Sequence, residues 1–123
     1  MKDIKFYINK ENKQIVDLII GSELHLDNFT ELKANSVDAA LEKHVPDVKI
    51  DGSKVDVTIG SVIHPMTEAH HIAFVVLVTD KAIMRHDFNY ADEPKFVFTL
   101  GEDEKPLKVY EYCNLHGLWV KEL

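Results

Sequence analysis

A single cysteine, Cys113, occurs in the 123 residues of this sequence. With no second thiol, a disulfide within the chain is excluded. Positive charge is also short. Lys and Arg number 14 against 21 Asp and Glu, leaving a formal net charge of −7. A phosphate backbone is held through a basic face, so nucleic acid is excluded as a partner. No apolar run approaches the roughly 18 residues of a membrane span. The opening Met1-Lys2-Asp3-Ile4-Lys5 lacks the apolar stretch of a secretory signal. The expectation is a cytoplasmic protein that does not enter a membrane. Internal repeats and low-complexity tracts are missing too.

What is present is an ordinary globular composition, 46% hydrophobic and 28% charged, with enough apolar side chains for one domain and a small appendage. Against that background the seven histidines are many for so short an acidic chain. Imidazole is the commonest metal ligand and titrates near neutrality. His25 and His86 read as surface or packing residues. The others lie near loops.

Taken in order, residues 4–8 and 15–20 are short apolar runs separated by Asn9-Lys10-Glu11-Asn12-Lys13-Gln14, which predicts a two-stranded hairpin. Residues 21–34 show no clear period beyond a Gly21-Ser22 turn. Asn35 fits a helix N-cap with Asp38 three residues on, predicting a short helix over 36–41. Pro46 forbids its continuation, so Glu42, Lys43 and His44 are expected at a helix end running into a loop. From about residue 48 strands take over. Residues 55–59 alternate with period two, 71–78 form a longer apolar run, and 82–88, 95–100, 107–112 and 118–120 continue the pattern. Many short strands and almost no helix predict an all-β fold, an antiparallel β-sandwich with a small N-terminal β lobe.

The chemistry gathers in three stretches. Cys113-Asn114-Leu115-His116-Gly117 places a thiol and an imidazole three residues apart, with Asn114 and Gly117 both suited to the turn between them. His64-Pro65-Met66-Thr67-Glu68-Ala69-His70 flanks a proline-stiffened loop with two more imidazoles, and His44 adds a fourth. Adjacent side chains on a strand face opposite ways, so His70 and His71 should not both ligate. Four imidazoles and one thiolate exceed the closed tetrahedron of structural zinc and leave a coordination position open, which suits iron reacting with a small molecule. Met66 and Trp119 read as packing around the site.

Glu42-Lys43-His44-Val45-Pro46, His64-Pro65-Met66 followed by His70, and Cys113-Asn114-Leu115-His116-Gly117 occur in this order and spacing in the superoxide reductases, the desulfoferrodoxin and neelaredoxin group, which the chain resembles over about residues 35–123. The resemblance implies an immunoglobulin-like sandwich over residues 36–123 holding one mononuclear non-haem iron. His44, His64, His70 and His116 would be its equatorial ligands and Cys113 its axial thiolate. It implies one-electron reduction of superoxide to hydrogen peroxide, with electrons from an external donor protein such as rubredoxin. The residue matching Glu42 can take the sixth position of the ferric iron in that family, and the one matching Lys43 offers positive charge to the anion.

Residues 1–35 resemble the desulforedoxin-like lobe of desulfoferrodoxin, through Lys5-Phe6-Tyr7-Ile8 and residues 32–40. The cysteines of that lobe correspond here to Asn9, Asn12, Leu24 and His25. None supplies a thiolate, so the lobe is expected to hold no metal and to serve structure or dimerisation. A homodimer or homotetramer is the expected assembly. Two other functions share the same residues: a non-enzymatic sandwich with a structural zinc, and a dismutase that also evolves oxygen.

Overall fold

A computed structural model describes residues 3–123. The chain divides into two compact units, Met1–Lys33 and Ala34–Leu123.

The first unit is a three-stranded antiparallel sheet. Strand β1 (Phe6–Asn9) lies between β2 (Ile15–Asp17) and β3 (Phe29–Glu31), with Tyr7 opposite both Val16 and Glu31. The β1–β2 turn is built by its asparagines. Asn9 Oδ1 accepts the Glu11 N–H at 3.0 Å, Asn12 Oδ1 accepts the Gln14 N–H at 3.0 Å, and Lys13 takes a left-handed φ of 65°. The expected second strand ends at Asp17 rather than residue 20, and Ile19 and Ile20 are exposed. Strand β3 has only three residues and no apolar alternation, which is why the sequence pattern does not announce it.

The second unit holds a short helix α1 (Leu41–His44) and seven strands: β4 (Pro46–Asp51), β5 (Lys54–Ile59), β6 (Ile72–Thr79), β7 (Ile83–Asp87), β8 (Lys95–Thr99), β9 (Pro106–Cys113) and β10 (Gly117–Glu122). They form two antiparallel sheets, in the orders β4-β5-β8 and β10-β9-β6-β7. Val55, Val57 and Ile59 of β5 turn inward while Lys54 and Asp56 face water. They join Ile72, Val75 and Leu77 of β6, Phe98 of β8, and Val109 and Cys113 of β9 in one core. Each such aliphatic side chain contributes about 1.5–3 kcal/mol on burial. All-β architecture is thus as the pattern predicts.

The helix expected over 36–41 is absent. Asn35 is not an N-cap. It adopts φ 59°, its N–H donates to Leu118 O at 2.9 Å, and its Oδ1 accepts the Val120 N–H at 2.9 Å, so it pairs along the edge of β10. The one helical turn comes later, at Leu41–His44, with Ala40 before it and no side-chain cap. Nor does that turn run into a loop. Val45 is extended and Pro46 already pairs with Ile59 at the start of β4, where a missing N–H is tolerated on an edge strand.

Candidate metal centre

Cys113 closes β9, directly opposite Ile72 of β6 and Gly117 of β10. The tight return to β10 rests on Gly117 at φ 82°, a left-handed conformation in which glycine pays no Cβ penalty. Asn114 does not turn the chain by a positive φ, as the sequence suggested. Instead its Oδ1 accepts the His71 N–H at 2.9 Å and its Nδ2 donates to Ala69 O at 3.0 Å. One asparagine therefore ties the Cys113 hairpin to the loop carrying His70.

The α1 turn is held from below. Val62 N–H donates to Glu42 O at 2.8 Å, and His64 N–H donates to Ile59 O at 2.9 Å. Gly60 passes so near α1 that any side chain would meet the backbone there. This fixes His44 relative to His64 before any ligand arrives.

Ligand atoms of His44, His64, His70 and Cys113 all lie within 4.8 Å of one another. His116 joins them, with Nδ1 3.1 Å from His44 Nε2 and 3.9 Å from Cys113 Sγ. His44, His64 and Cys113 are buried, while His70 and His116 are half-buried. Trp119 stacks on the His44 ring, centroids 5.0 Å apart, and its indole N–H donates to His116 O at 3.1 Å. All five residues singled out as ligands in the sequence thus converge. His71 does not join them, because its Nδ1 turns to the carbonyls of Thr67 and Glu68. Glu42 and Lys43 stand exposed on α1 beside His44. His25 belongs to the first unit, beside Glu23, and His86 stacks on Phe96.

Hydrogen bonding tests whether these residues suit a cation. A carbonyl can only accept, so His44 Nδ1 donates to Ala40 O at 2.7 Å and His64 Nδ1 donates to Pro65 O at 2.7 Å. In the neutral rings both Nε2 atoms are then bare lone pairs, yet they face each other at 3.2 Å. Protonation is a poor remedy. Burial pushes His64 down to about 4 and lowers His44 and His70 as well. His70 Nε2 is buried with no hydrogen-bond partner. Converging lone pairs with carbonyl partners behind them are the arrangement of imidazoles around a metal ion. Cys113 suits the same role. Burial pushes its thiol up, N–H groups of Leu115 and His116 act against that, and a bound cation would complete the deprotonation. The donors fit a transition metal.

Two contributors escape the sequence reading. Gly60 carries no motif. Glu111 lies inward on β9 between Val109 and Cys113, fully buried, with neither oxygen hydrogen-bonded, and burial drives its carboxyl well above the usual range. Strand alternation through Val109 and Cys113 is the signal that could have placed it.

The family model for desulfoferrodoxin matches residues 36–122. A desulfoferrodoxin from Clostridium acetobutylicum is 34% identical over 98% of this chain and 98% of its own. Another, from Syntrophotalea carbinolica, is 45% identical over 74% of this chain and 71% of its own. The crystal structure of superoxide reductase from Treponema pallidum superposes with a TM-score of 0.82, at 35% identity, covering 98% of this chain and all of that one. Fold, converging donors and sequence agree, and the chain belongs to the desulfoferrodoxin family.

Proposed function

We propose that this protein is a superoxide reductase, reducing superoxide with one electron and two protons to hydrogen peroxide. One mononuclear non-haem iron would be held by His44, His64, His70, His116 and Cys113. The observation that carries this reading is the meeting of unprotonated imidazole nitrogens with a buried thiol. Bound iron supplies reversible one-electron chemistry, with the Cys113 thiolate pushing electron density toward it.

The chain's own residues do the rest. Superoxide is an anion approaching a protein of net charge −7, so unaided association is slowed. Lys43 is exposed, and its ammonium bears on both His44 and His70, so it presents positive charge where the anion must arrive. Carbonyls of Ala40 and Pro65 hold the His44 and His64 rings in one tautomer and orientation. The half-exposed His70 and His116 leave one side near water, which provides protons and lets peroxide depart. Glu42, exposed beside Lys43, would be available as a further carboxylate ligand to bound iron.

The supporting partner is a one-electron donor protein such as rubredoxin. The cysteine-free lobe, residues 1–35, is assigned a structural or dimerising role in a homodimer or homotetramer. In its turn, Asn9 Oδ1 accepts the Glu11 N–H and Asn12 Oδ1 the Gln14 N–H. Among the described residues no helix is long and apolar enough to cross a membrane, and we assign the protein to the cytoplasm. Stoichiometric superoxide added to the iron-loaded ferrous protein tests the reading. Peroxide should form one-to-one with iron oxidised, and an oxygen electrode should stay flat. Oxygen evolution at half the superoxide consumed would make it a dismutase instead.

A further inference from the structure

We infer that Trp119 is a positioning residue that sets the reduction potential of the centre, its indole face lying against the His44 ring and favouring the ferric state. The inference rests on the reductase reading, since it concerns iron held by the five donors.

Trp119 is the only tryptophan in the chain. On β10 it stands directly opposite Glu111 of β9, and directly opposed residues share a face, so the indole turns into the sandwich as Glu111 does. Only 1% of Trp119 is exposed, and only 2% of His44. Their rings lie 5.0 Å apart between centroids and 28° from parallel. His64 and His116 meet the same imidazole edge-on, at 75° and 87°, and leave that face to the indole. The indole is also pinned, because its N–H donates to His116 O at 3.1 Å. A side chain with no metal-ligating atom therefore joins a ligand on α1 to one on the β9–β10 turn. Packing alone would ask only for apolar bulk there.

The face of an indole is negative and attracts positive charge within about 6 Å of the ring centre, most strongly where water is excluded. His44 Nδ1 donates to Ala40 O, so Nε2 is the atom left for a metal ion. A metal-bound imidazole takes on part of the charge of its ion, and more from ferric than from ferrous iron. The indole face thus stabilises the ferric centre more than the ferrous one and lowers the potential. Loss of an electron to superoxide is favoured to the same extent. The lever lies outside the ligands, in the shell that tunes a metal through its imidazoles.

Because the chain has one tryptophan, biosynthetic incorporation of 5-fluoro- or 5,7-difluorotryptophan alters Trp119 alone. Fluorine drains negative charge from the indole face while keeping its shape and its N–H. These full-length, iron-loaded proteins, with Trp119→Phe and Trp119→Leu beside them, are titrated anaerobically between ferrous and ferric forms using redox mediators. No superoxide is needed. The potential should rise from the unsubstituted to the monofluoro to the difluoro protein, the last by about twofold in the ferric-to-ferrous ratio, or ~18 mV. Trp119→Leu should raise it by about fivefold, or ~40 mV, and Trp119→Phe, which keeps an aromatic face, by less. Iron affinity in the fluorinated proteins, read by chelator competition, should stay within about twofold of the unsubstituted protein. Equal or falling potentials across the fluorinated series would overturn the inference and leave Trp119 as packing, whatever the Leu and Phe variants do. Failure of superoxide to oxidise the ferrous protein would overturn the reductase reading, while the order of potentials would still decide the role of Trp119.

Discussion

A Cβ on Gly60 would stand 2.6 Å from the carbonyl oxygen of Glu42, so the loop leaving β5 and the turn bearing His44 are in backbone contact. The neighbours there are backbone atoms, Val45 O at 2.9 Å among them, and they cannot swing aside. Gly60→Ala should destabilise the fold by about 1–3 kcal/mol, as overpacked sites do. It should also weaken iron binding by moving His44. Urea denaturation with chelator competition reads both effects. Iron affinity unchanged in a destabilised variant would show that the contact supports the fold but not the centre.

Asn114 acts on the centre without being a ligand. Its side chain bonds to Ala69 O and the His71 N–H, on either side of His70. Asn114→Ala should lower iron affinity about 10- to 100-fold, the range found for residues that orient ligands. Asn114→Asp keeps the acceptor for the His71 N–H and loses the donor to Ala69, so it should fall between. Chelator competition orders the three proteins.

Proton release separates the thiol from the imidazoles. Cys113 is pushed above its ordinary 9.0 by burial, so it is a thiol at pH 7 without metal. His44, His64 and His70 are lowered by burial and already neutral there. Ferrous uptake at pH 7 should therefore release about one proton per chain, and about none in Cys113→Ser. Calorimetry in two buffers of different ionisation heat gives the number. The same shifts set acid stability. As pH falls below about 6.5 the unfolded chain protonates these imidazoles, whereas folded His64 resists until about 4. The unfolded state then binds more protons, so the metal-free fold should lose stability progressively across that window.

Lys43 is the electrostatic guide in the proposed mechanism. Lys43→Ala should slow superoxide oxidation of the ferrous protein about tenfold, at the low end of steering effects, and flatten its dependence on salt. Lys43→Arg should restore most of the rate. Pulse radiolysis at two ionic strengths measures each. A salt-independent rate in the unsubstituted protein would remove Lys43 from the approach of the anion.

The sandwich was legible because β5 alternates cleanly and β6 is one long apolar run. Both signals come from side chains meeting a core. What escaped depends on partners distant in sequence. Asn35 reads locally as a helix cap, yet its acceptor and donor are spent on Val120, 85 residues away. Short β3 is held by pairing with β1 rather than by any pattern of its own. Among the site residues, the five donors stood out by residue type and spacing. Gly60 and the bridging of Asn114 did not, since their roles lie in a backbone approach and in two hydrogen bonds to another loop.

In the proposed centre, sulfur and four imidazoles share one redox-active iron. The most direct measurement is the visible spectrum of anaerobically iron-loaded protein before and after stoichiometric superoxide, alongside Cys113→Ser. A long-wavelength thiolate-to-ferric charge-transfer band should appear on oxidation and be missing in Cys113→Ser, with peroxide formed and no oxygen evolved. Bound iron that oxidises without such a band would show that Cys113 is not a ligand, and the proposed centre would be wrong.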